Sequence, residues 1–170
     1  LRQQGFKLAV VDTPPAITMA IQSVIGVAEL IVVPTRPSPH DLRAVGPTVD
    51  IIEARRKQMV FVLNAATARA KITMEAAIAL SQHGTVAPVT VHNRLDFAAS
   101  MIDGRTVMEV DDQSRSSLEI AELWTYLSQR LERTETVGTG LIDELPRGFG
   151  VRATSALGRP QPVFGRRATA

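Results

Sequence analysis

Cysteine is absent from the 170 residues. Disulfides and thiolate metal sites are thereby excluded, and the chain suits a reducing compartment, so a cytoplasmic location is the expectation. Lysine is scarce as well, occurring only at Lys7, Lys57 and Lys71. No apolar run reaches the roughly 18 residues of a membrane-spanning helix, because Glu29 interrupts the best stretch, residues 24–33. No internal repeat or heptad pattern appears. His40, His83 and His92 fall in three different expected elements without ligand spacing, and read as surface or capping residues.

What is present is enough apolar residue, 45%, for one ordinary core. The net charge of +2 conceals a division along the chain. Residues 146–170 carry Arg147, Arg152, Arg159, Arg166 and Arg167 and no acid, which leaves residues 1–145 at −3. Residues 1–133 read as one domain. Residues 134–170, rich in Gly, Pro, Thr and Arg, read as a disordered basic tail.

The organising stretch is FKLAVVDTPP. Residues 6–11 are apolar except for Lys7, the pattern of a strand buried on both faces, and the run stops at Asp12 before a Pro-Pro break. Ligands of open parallel sheets bind outside the carboxyl ends of the strands, so an acid there faces a site. Asp12 or Thr13 serves equally well as the N-cap of the following helix. Residues 16–28 carry a helical apolar stripe, and residues 30–33 form a second buried run. Ser38, Pro39 and Asp41 have the form of a helix start, and Gly46-Pro47 should kink or delay that helix. Arg55, Arg56 and Lys57 read as its solvated cationic end.

Residues 59–63 are a third strand, capped by Asn64, and residues 72–83 a helix stopped by Gly84. A fourth strand at residues 85–91 is weakened by Pro88, residues 95–103 form a short helix, and residues 114–133 a long periodic one. Strands alternating with helices imply βαβ units and an α/β, three-layer α/β/α architecture with a mostly parallel sheet. Right-handed crossovers then put Asp12, Thr35, Asn64 and His92 on one rim.

Four segments in order carry a resemblance: VVDTPP at residues 10–15, PTRPSPHDL at 34–42, FVLN at 61–64, and R-x-x-F followed by DGRTVMEVD across 94–111. Together they resemble the carboxyl-terminal part of ParA/MinD-type deviant Walker ATPases of the P-loop NTPase class, most nearly the ParA partition proteins. The resemblance spans about residues 6–131. It implies a Mg·ATP-dependent homodimer that binds DNA non-specifically, sits on the nucleoid, and is stimulated to hydrolyse ATP by a ParB-type centromere-binding partner in plasmid or chromosome partition. Residue by residue it implies Asp12 as the catalytic aspartate beside Mg²⁺, holding the metal through water, with Thr13 next to the nucleotide. It implies Asn64 and His92 as the two walls of the adenine pocket, and Arg69, Arg94 and Arg105 as DNA contacts.

The chain departs from that pattern in lacking any G-x-x-x-x-G-K-[ST], the loop that cradles phosphates, and with it the family's first strand. A fragment or truncated reading frame is the simplest expectation. The alternative function is a catalytically inactive remnant acting as a dimerising or DNA-binding module. A MinD-like membrane-cycling role would need a terminal amphipathic helix, which residues 134–170 do not offer, so no membrane partner is expected.

Overall fold

A computed structural model of the chain describes residues 2–14 and 18–140. In order the elements are a short 3₁₀ turn (Arg2–Gln4), α1 (Met19–Val27), β1 (Ile31–Thr35), α2 (Pro39–Ala54), β2 (Met59–Leu63), α3 (Lys71–Ser81), β3 (Thr85–Val86), α4 (Leu95–Ser100), α5 (Val107–Val110) and α6 (Arg115–Gly140). The three strands make one parallel sheet in the order β1-β2-β3. Ile31 stands opposite Met59 and Thr35 opposite Leu63, while Val60 and Phe61 pair with Thr85 and Val86.

The apolar run VFVL puts β2 at the centre because both of its faces are covered. Phe61 and Leu63, with Val33, pack against Ile25 of α1, Val49 and Ile52 of α2, and Ala76 and Leu80 of α3. On the other face Val60 and Val62, with Ala87 and Val91, meet Phe97 of α4 and Ile120, Leu123, Tyr126 and Leu127 of α6. The result is the expected α/β/α layering around a parallel sheet, consistent with a P-loop-like fold lacking its first strand.

Local chemistry sets the helix starts. Thr18 Oγ1 accepts from the Ile21 N–H at 3.3 Å, and Ser38 Oγ from the Asp41 N–H at 3.1 Å with Pro39 at the first helical position. α2 runs through Gly46-Pro47 without interruption. Pro47 is exposed, so the helical bond it cannot donate to the Arg43 carbonyl is lost on the solvent side. The cations after α2 do more than end it: Arg55 donates to the Gln22 carbonyl and side chain, and Lys57 Nζ to the Ala28 carbonyl at 3.0 Å. They tie the end of α2 to the middle and the carboxyl end of α1.

Several expectations are corrected. Residues 6–11 form no strand. They have no regular secondary structure and are exposed, Phe6 at 58% and Val10 at 83%. The physical reason lies in β1: Ile31 and Thr35 bond toward β2, so Val32 and Pro34 face the sheet's outer edge, and Pro34 has no N–H to offer a partner. The strand expected at residues 85–91 shrinks to Thr85–Val86 plus a bridge between Ala66 and His92, because Pro88 breaks the ladder. α5 was not anticipated, although Thr106 and Glu109 form a complete capping box around it. α6 continues to Gly140; residues 16–17 of the expected first helix and 141–170 of the expected tail lie outside the described residues.

Phe61 is fully buried at the junction of β2 with both neighbours. Phe61→Ala should cost about 3–5 kcal/mol in urea unfolding; a loss below about 1 kcal/mol would show that β2 is not the centre of the core.

Candidate functional site

The site grows out of the carboxyl end of β2. The Asn64 N–H donates to the Thr35 carbonyl at 2.9 Å, and Asn64 Oδ1 accepts from the Ala65 N–H at 2.9 Å. Ala65 and Arg69 hold φ of 49° and 59°, a left-handed conformation that costs a residue with a Cβ about 1–2 kcal/mol. The turn is stabilised by a second loop. Ala66 donates to the Val91 carbonyl at 3.1 Å and accepts from the Asn93 N–H at 2.9 Å, while the Val91 N–H donates to the Leu63 carbonyl at 2.9 Å. Two loops thus meet at one opening, and they bring Asn64 and His92 to it.

Beneath the opening is a cavity of about 430 Å³. Its floor is apolar, built by Val32, Pro34 and Val62 of the sheet, Val91, Phe97, and Ile120 and Leu123 of α6. Its rim is polar: Asn64, His92, Asn93 and Arg94. An apolar slot with a few polar groups at the mouth, at the carboxyl ends of parallel strands, is the form that small-molecule sites take.

Glu119 of α6 holds the rim in place. Its Oε1 meets His92 Nδ1 at 2.8 Å and accepts from the Arg94 guanidinium at 2.5 Å, and its Oε2 accepts from the His92 backbone N–H at 3.0 Å. The side chain is only 16% exposed. Burial pushes its carboxyl up, but the bonds from Arg94 and from the His92 backbone and ring outweigh that and hold it below the ordinary carboxylate range. Arg94 is raised, first by its bond to Glu119, against burial and with help from the charges of Glu119 and Asp96.

The structure does not gather all the residues expected at the rim. Asn64 and His92 share it, whereas Thr35 is buried at the end of β1 and does not line the cavity. Asp12 and Thr13 are exposed on a segment that no strand carries to the cavity. Arg69 is exposed on the loop after β2, and Arg94 is engaged by Glu119. Arg105 pairs with Asp103 at 2.7 Å beside a separate cavity of about 260 Å³ lined also by Asp96 and Asp111; this pairing lowers the Asp103 carboxyl. Glu119 was missed by sequence reasoning. Its signal was an acid in line with the apolar stripe of α6, one residue before Ile120 and four before Leu123.

Apolar walls with donors and acceptors at the rim suit a heteroaromatic base. For the phosphates and Mg²⁺ the fit is lacking: the sequence has no phosphate loop, and among the described residues no group of three or more His, Cys, Asp or Glu could hold a metal ion.

No protein-family model matches the chain. It is similar to a protein of Halothiobacillus neapolitanus named maintenance of carboxysome distribution protein A, with 29% identity over 126 residues. The alignment covers 70% of this chain and 58% of that protein. The chain therefore spans little more than half of its relative's length. The similarity supports a place in the broad ParA-like group. Among the described residues no helix is long and apolar enough to cross a membrane.

Because the Glu119 carboxyl is depressed in the folded state, its contribution is present above the unfolded value of about 4.3 and is lost as the pH falls through the folded value. Thermal unfolding from pH 7 to pH 3 should show Glu119→Gln losing less stability on acidification than the wild type, with the gap of about 1–3 kcal/mol between them at pH 7 closing below pH 4. Parallel curves would show that the clamp contributes no pH-dependent stability.

Proposed function

We propose that the protein is a ParA-like positioning ATPase that takes the base of ATP into the cavity between β2 and α6. The observation that carries this reading is the meeting of Asn64 and His92 at one polar mouth over an apolar slot, at the strand ends where such folds bind ligands. Asn64 Oδ1 is engaged by the Ala65 N–H, which leaves its Nδ2 to donate to an acceptor on the base. Thr13 would lie by the nucleotide, and Asp12 would hold Mg²⁺ through water beside the attacking water. Both need residues 6–13 brought to the rim.

In this reading ATP and Mg²⁺ support a homodimer that binds DNA through phosphate contacts from Arg69, Arg94 and Arg105, without sequence preference. A ParB-type partner stimulates hydrolysis, and the protein works on the nucleoid in the cytoplasm. Plasmid or chromosome partition is one cargo class. The relative's name, which refers to carboxysome distribution, supports a protein body as another. The second reading is a catalytically inactive remnant that dimerises or binds DNA; the position of Asp12 on an exposed segment away from the cavity favours it.

Titration with a fluorescent ATP analogue separates the two. Saturable binding strengthened by Mg²⁺ is expected, and absence of binding by a demonstrably folded chain would overturn the ATPase reading in favour of the remnant. For DNA, Arg69→Ala should weaken binding equally across unrelated duplexes and reduce the salt slope of log K by about 0.9, one phosphate contact. A loss confined to one duplex sequence would contradict the proposed mode.

A further inference from the structure

The Glu119 clamp fixes more than the position of a loop. An ionised carboxylate is an acceptor only, and Glu119 is held in that form by Arg94 and by the bonds from His92. The contact of 2.8 Å between Glu119 Oε1 and His92 Nδ1 therefore requires the proton to lie on Nδ1. In the neutral imidazole the other nitrogen, Nε2, is then an acceptor. His92 lines the polar mouth of the cavity, and its backbone is locked there by the bond from its N–H to Glu119 Oε2 and by the bridge to Ala66.

The geometry points to Glu119 as a positioning residue for base selection: by setting the tautomer of His92, it makes the cavity mouth present an acceptor, so the site takes a purine with an exocyclic amine in preference to one with a carbonyl at the same position. This rests on the proposed nucleotide site. An amine at that position donates to Nε2. A carbonyl places two acceptors face to face and leaves both without a hydrogen, a loss of binding wherever the bound base shields the half-buried His92 ring from water. Glu119→Gln keeps the size of the side chain but adds a donor. It can then satisfy an Nδ1 lone pair, and the ring is freed to carry its proton on Nε2.

Two measurements on the 170-residue chain test this. The first is ¹⁵N spectroscopy of the His92 ring above the range in which histidine is protonated. The Nδ1–H form is expected in the wild type and a shift toward Nε2–H in Glu119→Gln; an Nε2–H ring in the wild type overturns the inference whatever the chain binds. The second compares ATP with inosine triphosphate by calorimetric titration. The wild type should prefer ATP, and Glu119→Gln should lose about tenfold of that preference. A ratio is unaffected by the fraction of variant that is folded, so destabilisation of the chain alone would leave it unchanged, and the ring tautomer from the first measurement separates a changed proton from a displaced loop. If both nucleotides bind and the preference survives in Glu119→Gln, base selection by this route is wrong and the nucleotide site stands. If neither nucleotide binds the wild type, the proposed function fails together with the selection built on it, and an Nδ1–H ring then reports the clamp alone.

Discussion

Burial of β2 on both faces is the constraint on which the rest depends. Phe61 and Leu63 commit one face to α1, α2 and α3, while Val60 and Val62 commit the other to α6. Its backbone is committed as well, to β1 along its whole length and to residues 85–91 through the carbonyls of Phe61 and Leu63. Both loops of the site hang from these bonds. Residues 64–70 continue directly from β2, and residues 87–93 are held by the Ala87 and Val91 N–H groups. The cavity mouth is therefore an outgrowth of the core ladder, which is what lets a loop with two left-handed residues, Ala65 and Arg69, keep one shape.

Proline decides where this sheet ends. Pro34 lies at the position of β1 whose backbone points away from β2, and it supplies a carbonyl with no N–H. Pro88 stops β3 after two residues. Each removes a ladder donor where another strand would have to attach. One consequence is that the apolar run at residues 6–11 gains no sheet partner and stays exposed. Another is the cavity itself. Beside Val32 and Pro34 no described helix lies on the α6 side of the sheet, and that uncovered face, floored by Val62 and walled by Ile120 and Leu123, is the slot.

The alternation of strands and helices, the parallel order, the two-sided burial of residues 59–63 and the Ser38 and Pro39 helix start could all be read from periodicity and capping chemistry. The fate of residues 6–11 could not. A run of apolar residues states that burial would be favourable, and says nothing about whether a neighbouring edge and two covering layers exist to receive it. Pro88 was read correctly as a weakness of the fourth strand, but its full effect, a ladder cut to two residues and resumed as a single bridge, depends on the pairing with β2. For the site, Asn64 and His92 were identifiable as residues that follow strand ends. Glu119 was not, because it lies 27 residues from His92 and 25 from Arg94, and only the packing of α6 brings the three together. The bonds of Arg55 and Lys57, which do close α2 as a cationic end, were not legible for the same reason, their acceptors lying 33 and 29 residues away on and just after α1.

That long-range arrangement also explains why a carboxylate is used at residue 119 where an apolar side chain would pack more cheaply. Removing a charge from water costs several kcal/mol, and a hydrophobic replacement of a buried ion pair is often no less stable. Stability alone therefore does not account for Glu119. What an apolar residue cannot do is accept from one backbone N–H, one imidazole and one guanidinium at once, and so fix the position, ring orientation and proton of His92 together. The polar mouth of the cavity is thus preorganised by charge on a helix that is itself fixed by the core. Asp12, by contrast, sits on an exposed segment without sheet bonds. Recruiting it would require ordering that backbone at about 1–2 kcal/mol per residue, offset in part by burying Phe6 and Val10. In the proposed reading the two halves of the site therefore differ in kind: the residues assigned to the base are held by the folded core, whereas Asp12 would have to be brought to the rim from an exposed segment.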